Sequence, residues 1–190
     1  LKLIDEFADE CFMPITVGGG IKNIQNIEDI LKVGADRVSI NTEAFKNINF
    51  VKQAIKKFGA QCIVISVDYK LNQNNKKTVH IHSGKIDTGV ELEEYLKLLD
   101  DVGVGEVLLT SINHDGMMNG FDNETLRKVN NKYNFNLIAS GGAGNNEGIL
   151  NSIKYGNLKA ISCSSIFHFT ENTPNSLKEF LKKNNINVRY

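Results

Sequence analysis

Three features of the sequence predict an α/β fold on a parallel sheet: β-branched runs alternate with amphipathic stretches, the runs are apolar on both faces, and the chain repeats itself. In order, "PITV" precedes "NIEDILKVG", "RVSI" precedes "FVKQAIKKFG" and "CIVISVD" precedes "ELEEYLKLLDDVG". "EVLLTS" then precedes "ETLRKVNNKY", "NLIAS" precedes "GILNSIKYG" and "KAISCS" precedes "NSLKEFLKKN". These strand–helix units follow one opening stretch, "LKLIDEFADECF", whose Leu3, Ile4, Phe7, Ala8 and Cys11 have helical spacing. Pro14 opens a strand, and Gly34, Gly59, Gly103 and Gly156 close helices. No linker-like or low-complexity segment interrupts residues 1–190, which read as one domain. Residues 70–88, "KLNQNNKKTVHIHSGKIDT", form the one long connection, and their polar character predicts a hairpin or lid.

Residues 16–45 lie over residues 138–167 without a gap, at an offset of 122. Gly19, Gly20, Asn23, Ile27, Lys32, Gly34 and Phe45 fall on Gly141, Gly142, Asn145, Ile149, Lys154, Gly156 and Phe167; Thr42 falls on Ser164 and Arg37 on Lys159. Duplicated halves of four strand–helix units each make an eight-stranded (βα)8, or TIM, barrel. At the same offset the counterpart of Asp68 falls about 54 residues before Leu1. The chain is therefore expected to be a partial barrel, truncated at its N-terminus and lacking about the first two strands and first helix, roughly 60 residues. Two unpaired parallel edges would be an aggregation liability, so the missing piece is expected to come from elsewhere.

Lys+Arg and Asp+Glu both number 22, so no net field courts nucleic acid or an acidic membrane. No apolar run reaches the roughly 18 residues of a membrane span. Cys11, Cys62 and Cys163 are far apart in apolar runs and read as reduced, buried thiols of a cytoplasmic protein.

"PITVGGGIKN" ends a strand in Gly18-Gly19-Gly20, and Gly141-Gly142 with Gly144 repeats the pattern. One glycine makes a turn; more let an anion approach the backbone without a Cβ in the way. For a lone glycine pair, tight strand-to-helix packing is the commoner reason. Here a hydroxyl-bearing strand end follows in each half, Asn41-Thr42 and Ser164-Ser165, which predicts two phosphate cradles facing one another across the barrel. Between them Asp68 and Asp115 end or follow apolar strands, where burial and a neighbouring phosphate raise a carboxyl pKa into the range useful for proton transfer. Asp115 also suits an ordinary Asp-Gly turn in "NHDG". His80, His82 and His114 lack clustered carboxylates and read as loop or surface residues, so no metal or other cofactor is expected. No Ser-His-Asp ordering or nucleophile elbow occurs.

"ITVGGGI", "GADRVSINT", "VISVDYK", "SGKIDTG", "GEVLLTSINHDG", "GFD", "IASGGAG" and "SSIFHF" with the closing "LKEFLKKNNINVR" resemble the cyclase subunit of imidazole glycerol phosphate synthase, a histidine-biosynthesis lyase. The resemblance runs over essentially the whole chain, and the "FHF" to "NVR" ending separates it from the sister isomerase. It implies a (βα)8 barrel whose glutaminase partner, forming a heterodimer, docks on the N-terminal face and delivers ammonia. The ammonia attacks a bis-phosphorylated ribulosyl formimino aminoimidazole carboxamide ribonucleotide, giving imidazole glycerol phosphate and aminoimidazole carboxamide ribonucleotide. By this resemblance Asp68 is one of two acid–base aspartates, and the other belongs to a first strand this chain does not carry. The isolated 190-residue polypeptide is accordingly expected to be inactive. Gly20, Asn41 and Thr42 match one phosphate site; Gly142, Ser165 and Ser164 match the other; Asp115 and Ser140 match substrate-contacting positions. Arg37 and Glu106 match a ring of charges that gates ammonia entry, and Asp36 a salt bridge to the glutaminase. From the residues alone, strand-start ion pairs at a barrel bottom are the preferred explanation of the last three.

Asn113 and Met117 stand where the histidine-pathway enzymes usually show Asp and Thr. Two other readings follow from that departure: a paralogue supplying ammonia to amidate a surface-polysaccharide sugar, and a noncatalytic barrel that conducts ammonia from its glutaminase.

Overall fold

The structure, a computed structural model, describes residues 2–10 and 12–189. Cys11, expected as a buried thiol, lies outside the described residues. Helix α1 (Lys2–Glu10) precedes strand β1 (Thr16–Gly18), and α2 (Ile24–Lys32) follows it with Ile27 and Ile30 buried. Then come β2 (Arg37–Ile40), a short α3 (Thr42–Lys46), α4 (Ile48–Phe58) and β3 (Ile63–Leu71). Strands β4 (Lys77–Ile81) and β5 (Ile86–Glu91) occupy the long polar connection. The remaining units are α5 (Leu92–Val102), β6 (Glu106–Ser111), α6 (Asn123–Lys132), β7 (Asn136–Ser140) and α7 (Asn146–Gly156). β8 (Ala160–Ile161), α8 (Ser165–Phe169) and α9 (Pro174–Lys183) end the chain, α9 opening on a Thr173–Ser176 capping box.

Six strands pair in parallel in the order β1-β2-β3-β6-β7-β8 and curl into part of a barrel, two short of the eight that close one. The long connection is a hairpin: the outer end of β3 pairs antiparallel with β4, placing Asp68 opposite His80, and β4 pairs antiparallel with β5.

The strands are not apolar on both faces. Val38, Ile40, Ile65, Val67, Val107, Leu109, Leu137 and Ala139 are buried against the helices, where they form the core. The alternate positions, among them Arg37, Ser39, Ser66, Asp68, Glu106, Thr110 and Ser140, are only half-buried. A polar lining runs up the inner surface and ends in a rung of Asp68, Thr110 and Ser140 on adjacent strands.

The repeat is present in the backbone. Asn23 (φ −153°, ψ 168°) and Asn145 (φ −153°, ψ 163°) both cap helices, their side chains accepting the N–H of Asn26 at 2.9 Å and of Gly148 at 2.7 Å. Both glycine pairs take positive φ, +108° and +67° at Gly19 and Gly20, +87° and +115° at Gly141 and Gly142. Two details differ. Gly34 (φ +98°) follows α2, whereas its counterpart Gly156 stays inside α7 and Asn157 (φ 49°) makes the left-handed exit. α3 begins at Thr42 but α8 at Ser165, so the residue playing the role of Thr42 is Ser165 rather than Ser164. Cys62 and Cys163 are free thiols but half-buried, Cys62 just before β3, and Cys163 just after β8 and packed against the edge of the core; burial pushes the Cys163 thiol up to about 11.

Candidate functional site

Two clefts open at the C-terminal ends of the strands. The first encloses about 570 Å³ between the Gly18–Gly20 turn, the β2 end with Asn41 and Thr42, Asp68 on β3 and the hairpin tip at His82. Asn41 organises it: its Nδ2 donates to the Ser66 carbonyl at 3.1 Å and to Asp68 Oδ2 at 3.3 Å, and its Oδ1 accepts from the Thr42 hydroxyl at 3.2 Å. Burial raises the Asp68 carboxyl above the ordinary range, and the negative charge of Asp115 adds to this against a hydrogen bond from Ser66 and the charge of His80. His80, itself buried, faces the Gly84 carbonyl through Nδ1 at 3.1 Å, which makes that nitrogen the donor. Asp68 is thus a carboxyl that keeps its proton to higher pH than a surface aspartate, on an inner wall next to an open cleft.

The second cleft is much smaller, about 40 Å³, yet it gathers every second-half candidate: Asp115, Ser140, Gly142, Ser164 and Ser165. Ser162, which sequence reasoning passed over, lines it too.

The two glycine turns have different causes. A Cβ on Gly19 or Gly20 would meet nothing within 4 Å, so these residues are glycine for their backbone angles and leave their surface open. A Cβ on Gly141 would sit 2.7 Å from the Ser111 carbonyl oxygen, and Cβ atoms on Gly142 and Gly144 would land on the carbonyls of Gly120 and Met118. The Gly120 N–H also donates to the Gly142 carbonyl at 2.8 Å. Packing against the end of β6 and the loop before α6 accounts for the second turn; in the first, Gly18 packs on Ser39, and Gly19 and Gly20 are bare.

At the opposite end of the strands Arg37 pairs with Glu106 at 3.0 Å, both half-buried. Asp36 is exposed beside them; its Oδ2 accepts from the Ile15 N–H at 2.7 Å, and its N–H donates to the Ile15 carbonyl at 2.9 Å.

Asn113 does not line either cleft. Its Oδ1 accepts from the Leu71 N–H at 2.8 Å, fastening the hairpin root, a task that an Asp would perform equally. Lys22, Lys46 and His82 all line the first cleft and were missed as site residues; His82 in particular reads as a loop residue until the hairpin folds back over α3.

The family described as histidine biosynthesis protein matches residues 1–173. The chain belongs to this family. Within it the chain is 42% identical over 189 residues to the imidazole glycerol phosphate synthase subunit HisF of Dictyoglomus thermophilum, covering all of this chain and 75% of that protein. It is 41% identical to the HisF subunits of Endomicrobium trichonymphae and Methanosarcina mazei, again over all of this chain and over 72% and 76% of theirs.

Proposed function

We infer that the chain, within a complete barrel, performs the cyclase step of imidazole glycerol phosphate synthase. Ammonia from a glutaminase subunit attacks a bis-phosphorylated ribulosyl formimino aminoimidazole carboxamide ribonucleotide, and the products are imidazole glycerol phosphate and aminoimidazole carboxamide ribonucleotide. The observation that carries this reading is a half-buried Asp68, held by Asn41, lining a cleft walled by the bare backbone of Gly19 and Gly20. The uncovered backbone of Gly19 and Gly20 and the Thr42 side chain seat one phosphate; Ser164, Ser165 and the Gly141–Gly142 turn border the seat of the other. Asp68 serves the proton transfers of ring closure and cleavage as acid and base.

Ammonia enters at the strand starts, past the Arg37–Glu106 pair, and the glutaminase docks on that end. The half-buried free thiols support work in the reducing cytoplasm. Of the two departures behind the polysaccharide-paralogue reading, Asn113 holds Leu71 and Met117 is exposed, and neither lines the two clefts.

The test supplies the bis-phosphorylated ribonucleotide and an ammonium salt to the protein carrying its complete barrel. Imidazole glycerol phosphate is expected, with turnover lowered about 100-fold or more in Asp68→Asn. Unchanged turnover in that variant removes Asp68 from the chemistry.

A further inference from the structure

The hairpin tip is built at a cost. His82, Ser83 and Gly84 have φ of +54°, +58° and +77° in succession. A tight hairpin turn wants such angles, but it is ordinarily made from Asn and Gly, and a His and a Ser with a Cβ there are strained. Strain of this kind persists where the surroundings hold it. Here the His82 N–H donates to Thr42 Oγ1 at 3.0 Å, and Lys46 Nζ lies 3.2 Å from His82 Nε2. An ammonium only donates, so the imidazole accepts at Nε2 and draws the lysine to the wall of the first cleft.

The cleft has need of a donor. The Thr42 hydroxyl gives its single proton to Asn41 Oδ1 and accepts from His82, so it can serve a ligand only by releasing Asn41. The charges lining the cleft are Lys22 and Lys46 against Glu43 and Asp68, with His82 between α3 and the hairpin. Among the described residues the hydrogen bond to His82 is the one that Lys46 makes, which leaves the rest of an exposed ammonium for a ligand.

We propose that Lys46, positioned by His82 on the hairpin tip, binds the phosphate at this end of the ligand. The proposal rests on the reading of the first cleft as a phosphate seat. An anion there takes charge-assisted bonds from the ammonium hydrogens that Nε2 leaves free, and the hairpin becomes a part of the site that sets how tightly a phosphate end is held.

Inorganic phosphate is the probe, titrated by calorimetry and by 31P NMR, with circular dichroism melts checking that each variant is folded. Lys46→Met is expected to bind phosphate roughly tenfold more weakly, and Lys46→Arg to stay within about threefold of the starting protein. His82→Leu is expected to approach Lys46→Met, His82→Gln to recover most of the loss through its amide oxygen, and the Lys46→Met/His82→Leu double variant to be no weaker than Lys46→Met. Lys46→Met binding as tightly as the starting protein, while Thr42→Val binds less, overturns the proposal and leaves the seat intact. Equal losses in Lys46→Met and Lys46→Arg, or additive losses in the double variant, overturn the charge or the positioning role. No phosphate binding by the starting protein removes the seat and the proposal with it.

Discussion

Alanine at Gly20 and at Gly142 probes what the two glycine turns are for. At Gly20 the new Cβ meets nothing within 4 Å, and only the φ of +67° opposes it, a cost of about 1–2 kcal/mol. At Gly142 the φ of +115° imposes at least that cost, and the new Cβ also lands on the Gly120 carbonyl. Backbone cannot swing aside as a side chain does, so overpacking adds about 1–3 kcal/mol, and the Gly120–Gly142 hydrogen bond takes about 0.5–1.5 kcal/mol with it. Gly142→Ala is therefore expected to lose about 3–6 kcal/mol, a large share of the 5–15 kcal/mol typical of a domain. Its melting temperature should fall about three times as far as that of Gly20→Ala. The chain has no Trp, so unfolding is followed by far-ultraviolet circular dichroism in urea and on heating. Inorganic phosphate titration supplies the second readout: Gly20→Ala is expected to weaken binding while staying folded, because a methyl group now stands over the bare backbone. Equal stability losses in the two variants, or unchanged phosphate affinity in Gly20→Ala, would refute the distinction between an open turn and a packed one.

Asp115→Asn removes one of the influences that raise the Asp68 carboxyl, so the limb of the pH–rate profile on which activity falls as Asp68 loses its proton should move to lower pH. Because the folded-state pKa of Asp68 lies above its unfolded value, the folded state loses stability as pH rises through that window. Asp68→Asn should melt higher than the starting protein at neutral pH, and the gap should close below the ordinary carboxylate range. For Asp122 burial alone would raise the carboxyl, but hydrogen bonds from Lys77 and Thr125 outweigh it and hold it below the usual range. Lys77→Met is expected to cost about 1–2 kcal/mol at neutral pH in urea unfolding, and the difference should fade as the pH drops through the lowered pKa of Asp122.

Much of this was legible in the sequence because it is local or periodic. The offset of 122 returned paired Asn caps at Asn23 and Asn145 with nearly identical backbone angles, and the polar run 70–88 was a hairpin. What escaped depends on contacts between distant segments. Gly142 and Gly20 read alike in one dimension, and only the Gly120 carbonyl pressed against one of them tells them apart. Lys46 and His82 are 36 residues apart and meet because an antiparallel hairpin folds back over the β2–α3 junction. Apolar runs also concealed the polar inner wall. Ser39, Ser66 and Thr110 are scattered among apolar residues of three strands, and their common surface emerges only from the register.

The Asp122 carboxylate has a further consequence. It caps α6 through the Thr125 N–H, accepts from the Tyr69 hydroxyl at 3.0 Å and pairs with Lys77 at 2.9 Å, thereby riveting the root of the hairpin to the segment that carries Gly120. That segment grips Gly142 on one side of the mouth, and the hairpin reaches Thr42 on the other. The two rims share one hinge pin, so loosening it frees both sides of the mouth together.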